Sequence, residues 1–532
     1  MINMTRGYST DKYDPWVKRL HVKMASPSLK DNTGDADRLI RALKRELEVE
    51  NIRIPYSLLA NLPHKLRELQ YDCSVAVYED ANIWNIIDIF PPDGYQQSYG
   101  IALDLGSSTL VMRLVNLDKG EVIRELSFRN PQITVGTDIL SRIYYATQTG
   151  GLEELHSMLL DKINDKIHEL CTQLEITPHE ILALCVAGNT TMTHFFLGLD
   201  PYWICREPYI PVVNSPELIL CKDLGVHINE MAPVFALPNV GSYFGGDLIA
   251  GILVSGMNHE KEICLLVDVG TNAEVVLGNK DWLMGCAGAA GPALEGGVAS
   301  MGMMAGPGVI DKVWIDPETG KINYHTIDDL PPVGICGSGL IDLVAHLYLS
   351  GMIDLRGKFV PDKCGNRLVE IDGIGHFVVV SAEESATNQP LTLSQPDIDS
   401  LIRSKAAMYT ILTTITKTVE LSLRDISKFF IAGTFGSYID PRSAIVIGMI
   451  PDLPLDTYIP LGNTSVKGAT LALISREARE ECMGIRDKIT YLELNVNQEF
   501  MNLFSAAKFI PHTDKTLFPS VKVNESQAIG GA

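Results

Sequence analysis

Ile101-Ala-Leu-Asp104-Leu-Gly106-Ser107-Ser108-Thr109 is an apolar run that breaks at Asp-x-Gly into small polar residues and resumes as Leu110-Val-Met. Leu265-Leu-Val-Asp268-Val-Gly270-Thr271-Asn272, followed by Ala273-Glu274-Val-Val-Leu, repeats the pattern. Each copy reads as a buried strand, a tight turn and a second strand. The aspartates at 104 and 268 are too far apart for a solenoid period, and their spacing suits two duplicated domains facing each other. A third apolar strand, Phe429-Phe430-Ile431-Ala432, ends in the glycine-spaced turn Gly433-Thr434-Phe435-Gly436-Ser437.

Such turns have a chemical use. Glycine admits unusual backbone angles, so successive N–H groups point into one concavity, and Ser or Thr hydroxyls add donors. A phosphate fits there. The leading carboxylate repels a phosphate but suits a hydrated magnesium ion, which takes one or two carboxylates together with phosphate oxygens and water. Two loops from facing domains can clasp the β- and γ-phosphates of a nucleotide, which makes closure depend on that nucleotide. The glycines of the third turn let a base and ribose lie against the backbone. One Asp-x-Gly alone is an ordinary turn; three such elements in this order are specific.

The 532 residues predict three or four structural units, at about 150 residues per domain. An apolar fraction of 46% and a charged fraction of 20% exclude a disordered chain. The formal net charge of −21 argues against nucleic-acid and anionic-membrane partners, which need neutralising lysines and arginines. The first twenty residues are polar and lack a signal-peptide core, and no run approaches the roughly 18 apolar residues that span a bilayer. A cytoplasmic protein is expected. The longest apolar segments, such as Ala444–Ile450, read as buried strands. Of the ten cysteines no two lie within a dozen positions, so there is no CxxC pair or ferredoxin-type run, and they read as small buried hydrophobes.

Along the chain, residues 1–20 read as a tail or linker remnant and 21–95 as a small α/β middle domain. In the latter, Leu39, Ile40, Leu43 and Leu47 share a helix face opened by Asp35; a second helix follows Pro55 and breaks at Pro63 before resuming over 66–69. Cys73–Tyr78 and Ile83–Ile89 read as two strands joined by a turn. Residues 98–260 are assigned to a first α/β subdomain and 261–513 to a second, which carries the third turn and the C-terminal return; 514–532 read as a tail.

These features resemble the actin-like ATPase superfamily shared by sugar kinases, actin and the heat-shock chaperone ATPases. Within it the chain is similar to the reductive activators of corrinoid-dependent proteins. The supporting stretches are Val186-Ala-Gly188-Asn189-Thr190-Thr191-Met192 with Leu197-Gly-Leu-Asp-Pro201, Ala289-Ala290-Gly291-Pro292-Ala293 with Glu295-Gly296, and Gly334-Ile-Cys336-Gly337-Ser338-Gly339-Leu340-Ile-Asp342. Gln395-Pro-Asp-Ile398, Lys405-Ala-Ala407 and Gly462-Asn463 add to them, and the likeness runs from about residue 20 to 520. The resemblance implies an α/β fold of two actin-like (ribonuclease H-like) halves around a nucleotide cleft, preceded by the small domain. It implies an ATPase that returns a corrinoid protein from inactive Co(II) to Co(I) for methyl transfer, with ATP and Mg2+ as cofactors. The implied partner is a cobalamin-carrying methyltransferase component, and a homodimer is a candidate assembly.

Position by position, Asp104 with Gly106, Ser107, Ser108 and Thr109 matches the first phosphate loop, Asp268 with Gly270, Thr271 and Asn272 the second, and Gly433, Thr434, Phe435 and Gly436 the adenosine turn. Asp104 and Asp268 are the expected magnesium residues, acting through water. Asn189 opens a helix after a strand; it is a catalytic candidate that contacts the terminal phosphate or the partner and helps to position water, with an ordinary cap as the alternative. Asp247, in Gly245-Gly246-Asp247, matches a catalytic aspartate of some superfamily kinases and is a candidate for orienting the attacking water. Glu274 and Glu295 are weaker candidates. Gly337, Ser338 and Gly339 are expected to contribute N–H groups near the nucleotide, Cys336 to be a buried residue and not a nucleophile, and His194 to be structural. Met301, Met303 and Met304 are read as core residues with a partner contact as the alternative.

Relatives of this kind carry an iron–sulfur domain, and no cysteine cluster stands here, so no cluster is expected in this chain. Either a ferredoxin-like donor supplies electrons in trans, or the chain is a truncated form, or the ATPase module serves another use. Two rival readings use the same residues: a small-molecule kinase, recognised by acceptor-dependent ADP formation, and a nucleotide switch that binds ATP without significant turnover.

Overall fold

A computed structural model describes residues 14–92, 97–270, 273–288, 299–316, 319–433, 438–493 and 500–522. They form two compact units, one running to Val254 and including Thr464–Asp487, the other Ser255–Asn463 and the residues from Lys488 onward.

The first unit opens with a sheet of β1 (Val17–Lys23), β2 (Ile52–Arg53), β3 (Asp72–Asp80) and β4 (Ile83–Phe90) in the order β1-β3-β4-β2. The β3–β4 hairpin turns at Ala81 and Asn82, both at positive φ, the twist that suits a two-residue hairpin. Helix Asp35–Leu47 buries Leu39 and Leu43 against this sheet, one turn apart. The helical stretch after Pro55 does break, into Tyr56–Leu59 and Leu62–Glu68, and Pro63 lies in the first turn of the second piece, where a missing N–H costs nothing. The tail reading of residues 1–20 is corrected from Trp16 onward. Trp16 is fully buried, its indole N–H donates to the Ala472 carbonyl at 2.8 Å, and the Arg479 guanidinium lies 4.6 Å from its ring centroid. β1 pairs antiparallel with β3, Val17 opposite Tyr78.

The same unit holds β5 (Tyr99–Leu105), β6 (Thr109–Asn116), β7 (Glu121–Arg129), β8 (Ile181–Gly188), β9 (Ile219–Leu220) and β10 (Pro233–Ala236), ordered β7-β6-β5-β8-β10-β9. β5, β6 and β7 form an antiparallel meander; β8 runs parallel to β5 and β10 parallel to β8. Helix Gly151–Leu174 covers one face with Leu155, Leu159, Ile163 and Ile167. Helix Thr464–Ile474 packs across β5 and β8. The C-terminal return of residues 464–487 therefore belongs to the first unit and not to a subdomain spanning 261–513. The physical reason is that this helix, nearly all buried, finds its apolar partners on the β5 and β8 strands of the first unit.

In the second unit β11 (Cys264–Val269), β12 (Ala273–Gly278) and β13 (Leu283–Gly288) form another antiparallel meander. β14 (Val309–Ile315), β15 (Ile322–Thr326) and β16 (Gly334–Ile335) make one three-stranded sheet, and β17 (Leu368–Ile371), β18 (Ile374–Val380) and β19 (Leu391–Ser394) another. β20 (Lys428–Ala432) lies parallel to β11, β21 (Tyr458–Gly462) parallel to β20, and β22 (Ile489–Tyr491) parallel to β13, giving the order β21-β20-β11-β12-β13-β22. Apart from the edge strands β9 and β22, both main sheets share one order: third, second, first, fourth, fifth. The internal echo of the sequence is thus a duplicated α/β fold of the actin-like, ribonuclease H-like kind. Helices Gly337–Leu349 and Gln395–Thr418 pack Leu340, Leu343, Leu347, Ile398, Leu401 and Leu412 into the second core beside the strands.

Two further expectations differ. Ala444–Ile450 is not a strand: helix Pro441–Ile447 covers its start, with Asp440 accepting from the Arg442 N–H and Gly448 ending the helix at φ 74°. Nor is 514–522 a loose tail, because Phe518 is buried 5.4 Å from the Tyr409 ring. Just upstream in the chain, the Phe509 and Pro511 carbonyls accept from Lys405 Nζ at 2.5 and 2.8 Å.

Candidate nucleotide site

In the first unit Asp104 is the penultimate residue of β5, with Val111 of β6 and Ala187 of β8 as register partners. Next to it Leu105 pairs with Gly188. Since β5, β8 and β10 run parallel, their carboxyl ends deliver three loops to one edge: Gly106–Ser108, Gly188–Asn189 and the segment leading to Asp247. Ligands of open α/β sheets bind at such ends. Asp104, Gly106, Ser107, Ser108 and Thr109 are all partly exposed there.

Gly245 joins the second and third loops. A Cβ at that position would collide with the Asn189 backbone and stand 2.7 Å from Asp247 Oδ1. Only glycine lets Asn189 and Asp247 come this close, so the structure brings together two residues 58 positions apart (189 and 247). The Asn189 side-chain oxygen accepts the Met192 N–H at 2.9 Å, so Asn189 caps helix Thr190–Leu197. Asp247 sits in the first turn of helix Gly246–Ser255 and accepts the Leu248 N–H at 2.8 Å. Although it keeps an accessible edge, the surrounding protein pushes its carboxyl up to about 6. A carboxylate that titrates near neutrality can take a proton from water, which a fully acidic one does poorly.

His194 is structural, as expected. Its Nε2 accepts the Val212 N–H at 3.1 Å, which leaves Nδ1 to donate to the Thr190 carbonyl at 2.7 Å, and burial pushes its pKa down.

In the second unit Asp268 occupies the matching place in β11, opposite Glu274 of β12 and beside Ala432 of β20. The second Asp and Gly433, the first residue of the third turn, are therefore neighbours. Gly433 has φ 81°, and a Cβ there would stand 2.9 Å from Asp268 Oδ1. Carboxylate oxygens are the hard donors that magnesium takes, and Asp268 with Glu274 across the ladder fits that requirement. Gly270 bends the chain after β11. Thr271, Asn272, Ala289 to Gly296 including Glu295, and Thr434, Phe435 and Gly436 lie outside the described residues.

Gly337, Ser338 and Gly339 are buried, and the Ser338 hydroxyl donates to the Asp311 carbonyl at 3.0 Å. That side chain is committed to holding helix Gly337–Leu349 on β14. Cys336 is buried, its thiol 3.4 Å from the Ile310 carbonyl. Every cysteine except Cys205 is buried. Met301 is in the core, whereas Met304 is exposed. One residue with a place at the first loop went unread in the sequence: Asn130, whose Asn-Pro pairing reads as an ordinary turn.

Three family descriptions match in succession: the RACo linker region over residues 10–96, the RACo middle region over 99–260, and the C-terminal ASKHA domain of RACo over 262–522. The corrinoid activation enzyme RamQ of Eubacterium limosum is 32% identical over 430 residues, 79% of this chain and 72% of that protein. The chain belongs to the family of reductive activators of corrinoid proteins. A second family relative, the Co(II) methylated amine-specific corrinoid protein reductase of Methanosarcina barkeri, is 23% identical over 76% of each chain. A solved family structure, a reductive activator for a corrinoid, iron–sulfur protein, is 40% identical with a TM-score of 0.89, covering 97% of this chain and 82% of that one. Among the described residues of this family member, no helix is long and apolar enough to cross a membrane.

Proposed function

We propose that this chain is an ATPase that reductively activates a corrinoid protein, coupling ATP hydrolysis to one-electron reduction of Co(II) to Co(I). The observation that carries this reading is the likeness, over nearly the whole chain, to a structure named as a reductive activator for a corrinoid protein, at 40% identity. The duplicated sheets support it, since each ends its first strand in an Asp-x-Gly turn.

In this reading Asp104 and Asp268 organise magnesium through water. Gly106–Thr109 and Gly270–Asn272 hold phosphate oxygens, and Gly433–Gly436 receives the adenosine. The Gly337–Gly339 segment contributes through its backbone, because its serine hydroxyl is already engaged. Asp247 orients and deprotonates the attacking water, and Asn189 fixes the loop beside it. The electron comes from a separate ferredoxin-type donor, the partner is a corrinoid-binding methyltransferase component, the protein acts in the cytoplasm, and a homodimer is its candidate assembly.

The test is the visible spectrum of an anaerobic Co(II) corrinoid protein with reductant and ATP, with and without this protein and with and without added ferredoxin. ATP-dependent appearance of Co(I) only when this protein is present is the expected result. Its dependence on ferredoxin identifies the electron path. No spectral change, together with ADP formation that needs a small-molecule acceptor, would overturn the reading in favour of a kinase.

A further inference from the structure

The first phosphate loop leans on a residue outside it. Asn130 follows β7 and is 1% exposed. Its backbone N–H donates to the Ser108 carbonyl at 2.9 Å, and its Nδ2 donates to the Gly106 carbonyl at 3.0 Å. Its Oδ1 accepts the Gln132 N–H at 2.9 Å and so caps the short helix Pro131–Thr134. Both ends of the Asn130 amide are therefore in use, one on the loop and one on its own turn.

The same Nδ2 lies 3.8 Å from the Met192 sulfur, on the helix that Asn189 caps. From the other side Arg142, fully buried, reaches that sulfur with Nη1 at 3.6 Å while its Nε donates to the Gly136 carbonyl at 2.8 Å. Its Nη2 has no partner among the described residues. A buried side chain tied at both ends costs entropy and desolvation, which a loop needing no fixed shape would not require.

We propose that Asn130 is the positioning residue of the first phosphate loop, setting Gly106–Ser108 in place and tying them through Met192 to the helix that begins after Asn189. This rests on the nucleotide reading given above. The carbonyl of Gly106 is turned back onto Asn130, which directs the loop's polar donors, rather than its carbonyl oxygen, toward an incoming phosphate. Without that bond the carbonyl can swing toward the phosphate and repel it.

Two variants separate this role from plain structural support. Asn130→Ala removes both the donor and the cap. Asn130→Asp keeps the cap acceptor, and its carboxyl, at a site 1% exposed that favours the neutral form, can donate to the Gly106 carbonyl only while protonated. Magnesium-ATP binding is measured by titration calorimetry at about pH 5.5 and about pH 8, below the melting temperature of each variant, with Asp104→Ala as reference. The expected result is a deficit of about tenfold for Asn130→Ala at both pH values, and for Asn130→Asp a binding near wild type at the lower pH that falls about tenfold at the higher.

If Asp104→Ala abolishes binding while both Asn130 variants bind like wild type, the positioning role is overturned and the nucleotide reading stands. A deficit in Asn130→Ala together with wild-type binding by Asn130→Asp at both pH values would reduce Asn130 to a structural cap and likewise overturn the role. Absence of magnesium-ATP binding by the wild-type protein would overturn the nucleotide reading and this inference together.

Discussion

Oδ1 of Asp268 lies 2.9 Å from the point where a Cβ of residue 433 would stand, so the second Asp-x-Gly strand and the first glycine of the third turn form one construction. The parallel pairing of β11 with β20 puts them together, Asp268 opposite Ala432. A carboxylate at the end of one strand thus stands beside a bare backbone position at the end of the next.

Gly433→Ala tests this construction. At φ 81° an alanine is strained, and its methyl would press on the carboxylate. The variant is expected to lose about 1–2 kcal/mol of stability and to bind magnesium-ATP more weakly than that loss accounts for. Chemical denaturation with nucleotide titration reads both; unchanged affinity would separate Gly433 from the nucleotide.

Asp104→Ala and Asp268→Ala should each abolish magnesium-ATP-dependent function while leaving the melting transition nearly in place, since both carboxylates are partly exposed. Loss of a preorganised charged group at a phosphoryl-transfer site typically costs about 10²–10³ in rate. Steady-state ADP release is the assay. Normal turnover in both variants would remove these residues from the site.

Asp247, pushed up to about 6 by burial, should impose an acidic limb on the rate. As a base it works ionised, so ATP turnover is expected to fall as pH drops below about 6. Asp247→Asn should lower kcat by about 10²–10⁴ and flatten that limb. A variant that retains the limb would assign it to another group.

Burial also pushes Asp342, in helix Gly337–Leu349, up to about 6 from an ordinary 3.8. Between those values the folded chain holds a proton that the unfolded chain has released, so stability falls as pH rises from about 4 to about 6 and is level above. Asp342→Asn carries no such burden. Its stability relative to wild type should climb across that window by up to about 3 kcal/mol, at 1.36 kcal/mol for each pKa unit. Urea denaturation at several pH values checks this, and a difference independent of pH would show that Asp342 does not titrate there.

Much of the placement of the candidate residues was legible because its signals are local. Asp-x-Gly after an apolar run marks a strand end wherever it occurs, and Asp104 and Asp268 do occupy equivalent places in the two sheets. Asn189 as a helix cap followed from its residue type and the strand before it. Asn130 was not legible, because its two bonds to Gly106 and Ser108 cross 24 and 22 positions of chain (from 106 and 108 to 130) and leave no mark on its neighbours. At Ser338 the residue types pointed to backbone donors before a helix, and only the fold shows that the hydroxyl itself donates to the Asp311 carbonyl.

The amino-acid sequence by itself determined the repeated strand–turn–strand, the chemistry of its carboxylates and hydroxyls, and the family, because those depend on residue type and short spacing. Tertiary structure alone decided that Trp16 docks under Arg479, that Ala444 lies in a helix capped by Asp440 and Gly448, and that residues 464–487 complete the first unit and not the second. An apolar helix face specifies that it must be covered but not by which sheet. That choice rests on the shape of surfaces far away in the chain, and Gly245 shows the scale of it, since the absence of one Cβ is what allows Asn189 to meet Asp247.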